Sequence, residues 1–193
     1  VYGQWVNPFV GTGGIPWVCA NLSPGATAPF GAVRLCADTT GIGGSNLIGS
    51  GKSGYYYGHN YTVGFSHTRL SGTGIMDMGH FRVTPAVGDT DPAKRLTSPL
   101  IFSHDNEVAT AGYYALYLPT VDCMAELTAT THAGVHRYTF RSDKDAHLFI
   151  DATSFLNGGE SLGGEITVMP DAMEIEGSGD IDTGFTGRYG GLK

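Results

Sequence analysis

The sequence predicts an all-β fold, an antiparallel β-sandwich or barrel, and three observations support this prediction. Short runs in which apolar and polar residues alternate recur from about residue 80 onward. Turn-forming residues separate these runs at intervals of about ten residues, which is typical of sandwiches and barrels. No window of about eleven or more residues shows a helical period with capping residues at its ends.

The predicted strands follow one another along the chain. The first, HFRVTPA, places Phe81 and Val83 on one face and polar side chains, Thr84 among them, on the other. Two later runs, EITVM and AMEIEG, flank the turn signal Pro170-Asp171 and are therefore predicted to form a hairpin. In chain order the predicted strands are 80–86, 113–119, 122–130, 134–140, 146–152, 165–169 and 172–177.

The first part of the chain differs from this pattern. It contains glycine- and proline-rich stretches with few alternating runs between them, namely VNPFVGTGG (6–14), SPGATAPFG (23–31) and GIGGSNLIGSGKSG (41–54). Ordering such loops costs conformational entropy unless they pack or bind something. We therefore expect these loops to form the working face of the domain.

Length and charge narrow the classes of function. A chain of 193 residues suits a single domain, here residues 1–193. Its formal net charge of −7 argues against a nucleic-acid partner, because such binding depends on Lys and Arg contacts to phosphates. No apolar run approaches the roughly 20 residues that a membrane helix needs, so we expect no membrane insertion. We also expect no signal peptide among these residues, because no positively charged start is followed by an apolar stretch.

The three cysteines, Cys19, Cys36 and Cys123, leave at least one thiol unpaired. No CxxC spacing is present, which argues against a zinc site. We expect small, buried, apolar side chains, with one Cys19–Cys36 bridge as an open alternative.

The segment IGSGKSG (48–54) resembles a phosphate-binding loop only superficially. The phosphate-loop pattern requires a glycine five residues before Gly51, and that position holds Asn46. Strand and turn formers follow the segment, whereas a phosphate loop opens a helix. A glycine-rich surface loop is the better interpretation.

The sequence contains no clear metal-binding motif and no clear motif for a catalytic nucleophile. His59, His67, Asp77 and His80 fall in one segment, but no pair has the spacing of a zinc protease. We therefore predict that these histidines form hydrogen bonds in loops or on strand faces, and we predict no metal ligand in this chain. His67, Asp77 and Ser71 can be joined into a triad on paper, but the surroundings of Ser71 do not match a nucleophile elbow.

Glycoside hydrolysis requires two carboxyl groups that flank a sugar. Glu126 and Asp151 lie on predicted strands and can be ordinary outward residues. Asp77 is the one carboxylate that we would place at a ligand. It lies beside the stretch GFSHTRLSGTG (64–74), whose short polar side chains and glycines suit a neutral polyol, with Trp5, Trp17 and Tyr55–Tyr57 as flat faces for a sugar ring.

A succession of motifs in one order carries a resemblance to a known family. The motifs are VNPFVGTGG (6–14), SPGATAPFGAVRL (23–35), GYYY (54–57), GFSHTRLSGTG with Asp77 and Gly79, FSHDNE (102–107), AGYYALYL (111–118), AELTATTHAGVHRYTF (125–140) and HLFIDAT (147–153), with a looser match over 173–191. This succession resembles the N-terminal domain of the family-92 glycoside hydrolases, the calcium-dependent, exo-acting α-mannosidases of the α-1,2 type.

The resemblance implies a two-domain enzyme. An N-terminal antiparallel β-sandwich packs against a C-terminal (α/α) barrel, the active site lies between them, and hydrolysis inverts the anomeric centre. The catalytic acid and base and most Ca²⁺ ligands belong to the helical domain, which is absent from this chain. We therefore expect no catalytic residue in this chain and no activity from it alone, and we expect a secreted, periplasmic or cell-surface bacterial protein.

The expected partners are a mannose-containing glycan and the helical domain of the same polypeptide. The resemblance implies that loops of the N-terminal domain line the sugar cleft. On this sequence the implied substrate-binding residues are Asn7, Thr12, Gly13, His67, Arg69, Ser71 and Asp77.

One departure concerns the leaving-group sugar. Several family members carry an aromatic residue just before the GYxY segment, whereas here Gly51, Lys52 and Ser53 precede Gly54. This departure leaves the aglycone and the α-1,2 linkage open. The alternative function is a stand-alone carbohydrate-binding sandwich without catalytic activity, and a third is a structural or interaction sandwich. An exposed interdomain face also predicts self-association.

Overall fold

The computed structural model describes residues 2–15, 20–40, 51–88, 91–141, 145–156 and 159–191, without the side chains of residues 95–97. The described part is an all-β, antiparallel fold. Its strands are β1 (Tyr61–Thr62), β2 (Arg82–Val87), β3 (Leu100–Ile101), β4 (Glu107–Thr110), β5 (Tyr113–Leu118), β6 (Cys123–Ala129), β7 (Gly134–Phe140), β8 (Ala146–Asp151), β9 (Glu160–Met169) and β10 (Glu174–Asp182).

One layer is a four-stranded antiparallel sheet in the order β4-β5-β6-β7. Strand β5 places Tyr114, Leu116 and Leu118 on the inner face, directly opposite residues of β6. All three side chains are fully buried, because side chains two residues apart share one face of a strand. The alternation that predicted these strands is therefore the alternation that fills the core.

The second layer is less regular. Strands β2 and β8 pair along their whole length, and residues 63–67 add to the free edge of β2 through Phe65 N–H, which donates to Val83 C=O at 2.9 Å. Residues 34–38 extend this ladder further, since Asp38 N–H donates to the Gly64 carbonyl at 2.8 Å. β1 and β3 form a separate short pair.

The hydrophobic core lies between the two layers. Its members come from the four-stranded sheet and from the loop and edge segments opposite, and they are Ala26, Val33, Leu35, Cys36, Ala37, Tyr55, Phe65, Leu100, Phe102, Tyr114, Leu116, Leu118, Val121, Cys123, Ala125 and Leu127. Cys36 and Cys123 are buried free thiols, as expected for small apolar side chains. Cys19, the other half of the possible bridge, lies outside the described residues.

The predicted hairpin is present and longer than predicted. Strands β9 and β10 pair antiparallel around the turn Pro170–Ala172, with a bulge at Asp180/Ile181. Ile166, Val168 and Ile175 share one face, because Ile175 is opposite Val168 in the register. The sequence prediction stopped short of residues 160–164 and 178–182, where glycines interrupt the apolar alternation.

Strand β2 corrects one detail of the sequence analysis. Its alternation predicted an outward polar face, yet Thr84 is fully buried, and its hydroxyl donates to the Val63 carbonyl at 2.8 Å. Strand β2 is paired along both edges, by β8 and by residues 63–67, and its four central residues are all buried, so both of its faces are covered as well. A threonine can occupy such a position since its hydroxyl finds a carbonyl partner.

Helical structure is sparse. The six-residue helix α1 (Pro92–Thr97) begins at Asp91, whose carboxylate accepts from Ala93 N–H at 3.0 Å. Short 3₁₀ turns occupy Tyr2–Trp5, His104–Asn106, Pro119–Val121, Pro170–Ala172 and Thr186–Tyr189. No helix within the described ranges is both long and apolar enough to cross a bilayer.

Candidate functional site

An open pocket of about 380 Å³ lies against the first loop of the chain. Its lining residues are Asn7, Phe9, Val10, Gly11, Gly13 and Tyr57. The loop keeps its shape through Thr12, which is fully buried and whose hydroxyl donates to the Phe9 carbonyl at 2.8 Å. Tyr57 N–H in turn donates to the Thr12 carbonyl at 2.9 Å, so the loop and the GYYY segment form one wall.

Tyr57 provides the flat apolar surface of this pocket. Its side chain is 43% exposed, and its ring contacts Phe9 edge-on with ring centroids 5.5 Å apart. The ring also stacks on the His104 imidazole, with centroids 4.1 Å apart and planes 19° apart. Among the described residues, the Tyr57 hydroxyl has no hydrogen-bond partner. A ligand in this pocket would therefore meet an aromatic face and a free hydroxyl.

Gly13 and Asn7 complete the polar part of the pocket. A Cβ on Gly13 would lie only 3.1 Å from Tyr57 Cβ, so a glycine lets the loop backbone approach the ring. The Asn7 side-chain oxygen accepts from Phe9 N–H at 3.0 Å, which leaves the amide NH₂ of this exposed side chain available.

Behind Tyr57, the structure buries a carboxylate that the sequence analysis did not single out. The Glu107 side chain accepts hydrogen bonds from the hydroxyls of Tyr55 (2.9 and 3.0 Å) and Tyr114 (2.6 Å) and from His104 Nδ1 (2.5 Å). Burial and then the charge of Glu107 raise the pKa of both tyrosines well above the usual range. The signal in the sequence was the spacing of His104 and Glu107 within FSHDNE, three residues apart.

The loop that carries Ser71 lies beside the pocket loop. Ser71 Oγ accepts from Ser23 N–H at 3.2 Å, and Leu22 N–H donates to the Gly11 carbonyl at 3.3 Å. Leu22 also fills the space beside both Gly11 and Gly72, where added Cβ atoms would lie 2.5 and 3.3 Å from its methyl carbons. The structure thus brings Asn7, Gly13 and Ser71 to one surface, while Thr12, fully buried, supports the loop from inside.

Arg69 is inside the protein rather than on this surface. Its guanidinium pairs with Asp38 at 2.6 Å, and neither side chain is more than 2% exposed. It also donates to the carbonyls of Cys36 (3.0 Å) and Ser53 (3.3 Å). Asp38 additionally accepts from the backbone N–H and the hydroxyl of Ser66, so the pair belongs to a buried network that joins strand-like segments of the second layer.

Asp77 is likewise occupied by internal contacts. Its carboxylate accepts from the Thr183 hydroxyl, from the Thr186 backbone N–H (2.9 Å) and hydroxyl (3.0 Å), and from the Phe185 N–H (3.2 Å). Burial would raise the pKa of this carboxyl, but the hydrogen bonds from Thr183, Thr186 and Met78 outweigh burial and lower it. Asp77 therefore anchors the final described segment of the chain.

His67 lies apart from the pocket, at a larger apolar cavity of about 480 Å³ between the layers and the β9–β10 hairpin. Its Nδ1 is 2.7 Å from the Phe81 carbonyl, and its ring stacks on His136 with centroids 4.6 Å apart. Burial, and then the proximity of His67, lower the pKa of His136 to about 4. Substrate contact by His67, as by Arg69, Ser71 and Asp77, stays a prediction.

The two other carboxylates considered as catalytic candidates form ion pairs within the domain. Glu126 pairs with the exposed Arg137, and Asp151 pairs with Arg82 at 3.0 Å. Within the described ranges, no group of three or more His, Cys, Asp or Glu side chains is arranged to hold a metal ion. The Ca²⁺ that the resemblance implies has no matching set of ligands there. Trp17 lies outside the described residues.

A family model and several solved structures are similar to this chain. The family model for the glycosyl hydrolase family 92 N-terminal domain matches residues 5–191. The family GH92 α-mannosidase BT3965 from Bacteroides thetaiotaomicron, solved alone and in complex with mannoimidazole, superposes with a TM-score of 0.79 at 31% identity, over 94% of this chain and 23–24% of that one. None of the curated protein sequences is significantly similar to this chain.

Two further solved structures are similar. The GH92 family glycosyl hydrolase ccman5 has a TM-score of 0.72 at 27% identity, over 96% of this chain and 25% of that one. The family GH92 inverting mannosidase BT2199 from Bacteroides thetaiotaomicron VPI-5482 has a TM-score of 0.70 at 25% identity, over 91% of this chain and 22% of that one. The chain therefore spans about a quarter of the length of these relatives.

Proposed function

The chain belongs to the glycosyl hydrolase family 92 N-terminal domain, and from this membership we propose that it forms one wall of the sugar site in an exo-acting, inverting α-mannosidase. The observation that carries the proposal is the open pocket beside the first loop, with an exposed aromatic face and exposed polar groups. Pockets that hold small molecules are typically apolar with a few placed polar groups.

In this proposal the chain binds and orients a mannoside, and other parts of the polypeptide perform the chemistry. Tyr57 offers its ring to an apolar face of the sugar, Asn7 offers an amide, and Gly13 lets the loop backbone come close. Asp77 and Glu107 do not suit catalysis, because both are buried and hydrogen-bonded to other parts of the domain. A catalytic acid and base 6.5 Å or more apart, roughly as inversion requires, would come from elsewhere.

The test is mannose release by the full-length polypeptide. We expect release from α-mannobiose in buffer with Ca²⁺, with the α-1,2 linkage cleaved fastest and the β anomer of mannose appearing first in a proton NMR time course. We expect no release by residues 1–193 alone. The proposed activity would be refuted if the full-length protein released no mannose from α-mannobiose of any linkage. Release by residues 1–193 would refute the proposal that other parts of the polypeptide perform the chemistry.

The alternative is a carbohydrate-binding module that acts by itself, which the aromatic and weakly charged pocket also supports. Calorimetric titration of the isolated chain with mannose and mannobiose separates the two. A module is expected to bind at micromolar to millimolar concentration, whereas half of a shared site is expected to bind far more weakly.

A further inference from the structure

The aromatic wall of the pocket is connected to a buried charge. Tyr57 is half exposed at the pocket, His104 lies directly behind its ring, and Glu107 lies behind His104 with a side chain that is fully buried. The three groups thus run from the surface to the core in a line of direct contacts.

The bond between His104 and Glu107 fixes the imidazole. A carboxylate is an acceptor only, so His104 Nδ1 must carry the hydrogen that it shares with Glu107 Oε2. The remaining acceptor positions of Glu107 take hydrogens from Tyr55 and Tyr114, so the carboxylate cannot rotate without breaking buried bonds. Phe102 contacts the imidazole edge-on, with centroids 5.3 Å apart and planes at 89°.

A fixed imidazole in turn fixes the tyrosine. The Tyr57 ring lies nearly parallel to His104, with Phe9 at its edge and the Gly13 backbone against its Cβ. These contacts restrict the rotation of an exposed aromatic side chain that would otherwise lose rotamer freedom when a ligand binds. A wall that is ordered beforehand binds more tightly, because less entropy is lost on binding.

We propose that His104, held by the buried carboxylate of Glu107, is a positioning residue that sets Tyr57 as the sugar-stacking wall of the pocket. The proposal rests on the proposed function for the identity of the ligand, a mannoside. The pair does not touch the ligand or the reacting atoms. Its effect is on substrate affinity, because Tyr57 would contact the ground state and the transition state alike.

The experiment replaces His104 in the full-length polypeptide and reads Tyr57 directly. 3-Fluorotyrosine placed at position 57 reports the environment of the ring by ¹⁹F NMR without any sugar or activity. His104→Phe keeps an aromatic ring but loses the bond to Glu107, and His104→Gln keeps a donor but loses the stack. His132→Gln, at an exposed histidine, is the matched control.

We expect both His104 variants to shift and broaden the ¹⁹F signal, and to raise KM for α-mannobiose about five- to tenfold with kcat within about twofold. Glu107→Gln should act in the same direction, and His132→Gln should change nothing. Tyr57→Ala should raise KM by at least as much, and adding His104→Gln to it should have no further effect, because the two act through one contact.

Two results would overturn the proposal. One is an unchanged ¹⁹F signal in both His104 variants, which would show that His104 does not position the ring. The other is a moved ¹⁹F signal with KM unchanged. Failure of the wild-type protein to release mannose would instead refute the proposed function, and the ¹⁹F signal would still decide whether His104 positions Tyr57.

Discussion

Arg69 and Asp38 illustrate how a polar cluster in the sequence can belong to the interior. The stretch GFSHTRLSGTG was interpreted as a ligand surface because it is polar and rich in glycine. In the structure Phe65, Ser66 and Arg69 are buried instead, and Ser71 lies in the surface loop. The partner Asp38 lies about thirty residues away in sequence, and no local pattern connects the two.

Removing the charge of Arg69 should destabilise the fold strongly. We expect Arg69→Met to lower the free energy of unfolding by about 3–5 kcal/mol, because Asp38 would be left buried without its partner. The matched control is Arg137→Met, which breaks the ion pair with Glu126 where Arg137 is 71% exposed and should cost far less stability. Urea denaturation measures both, and equal costs would contradict this account.

His136 should make the stability of the chain depend on pH. Its pKa falls from 6.5 in the unfolded chain to about 4 in the folded protein, so the unfolded state binds a proton first as pH falls. The stability from the neutral ring is complete above pH 6.5 and is lost progressively toward pH 4.

We expect a loss of roughly 2 kcal/mol between pH 7 and 5 from this group. His136→Phe should remove that part of the pH dependence, whereas His132→Phe, at an exposed site, should keep it. Urea denaturation at the two pH values gives the comparison. The same pH dependence in wild type and His136→Phe would exclude the assignment.

The strands were the predictable part of the fold, and the connections between them were not. Strand β7 occupies the predicted residues 134–140, β5 and β8 are one residue shorter than predicted at one end, and β6 is one residue shorter at each end. Alternation predicts such strands because one face is buried and the other is not. The ladder of residues 34–38 and 63–67 escaped prediction, because residues 35–38 and 63–66 are buried consecutively and therefore show no alternation of apolar and polar side chains.

Gly79 should be essential to the connection that precedes β2. Its φ is +102°, and an added Cβ would lie 2.5 Å from the Leu156 backbone nitrogen. We expect Gly79→Ala to cost more than about 3 kcal/mol, because backbone from two segments must move apart. Gly112 has a similar φ of +80° with no atom within 4 Å of an added Cβ, so Gly112→Ala should cost only about 1 kcal/mol. Thermal unfolding distinguishes the two, and comparable losses would show that only backbone conformation matters.

The molecule as a whole exposes large apolar side chains on its first thirty residues. Phe30 and Trp5 are 104% and 80% exposed, and Val10 is 68% exposed. The segments that carry Trp5 and Phe30 lie side by side, since Val6, Pro8, Ala28 and Pro29 line one open cavity, and apolar patches commonly mark surfaces where proteins meet. The candidate pocket opens on the same segment, which is consistent with a site that a second domain completes.

We expect residues 1–193 to associate as concentration rises, through this apolar surface. The double substitution of Trp5→Ser and Phe30→Ser should reduce the association measured by light scattering at high protein concentration. Met173→Ser is the control, since Met173 is 92% exposed but lies at the distant turn of the β9–β10 hairpin. A wild-type chain that stays monomeric would contradict the prediction.

The contacts of Asp77 also affect when different parts of this domain can fold during synthesis on the ribosome. Asp77 is bound by Thr183 and Thr186, which follow it by 106 and 109 residues. At a synthesis rate of roughly 5–20 residues per second, Thr183 and Thr186 are added to the chain several seconds after Asp77. The second layer can therefore begin to pair during translation, but the segment that closes over Asp77 joins only after Thr183 and Thr186 have been synthesised.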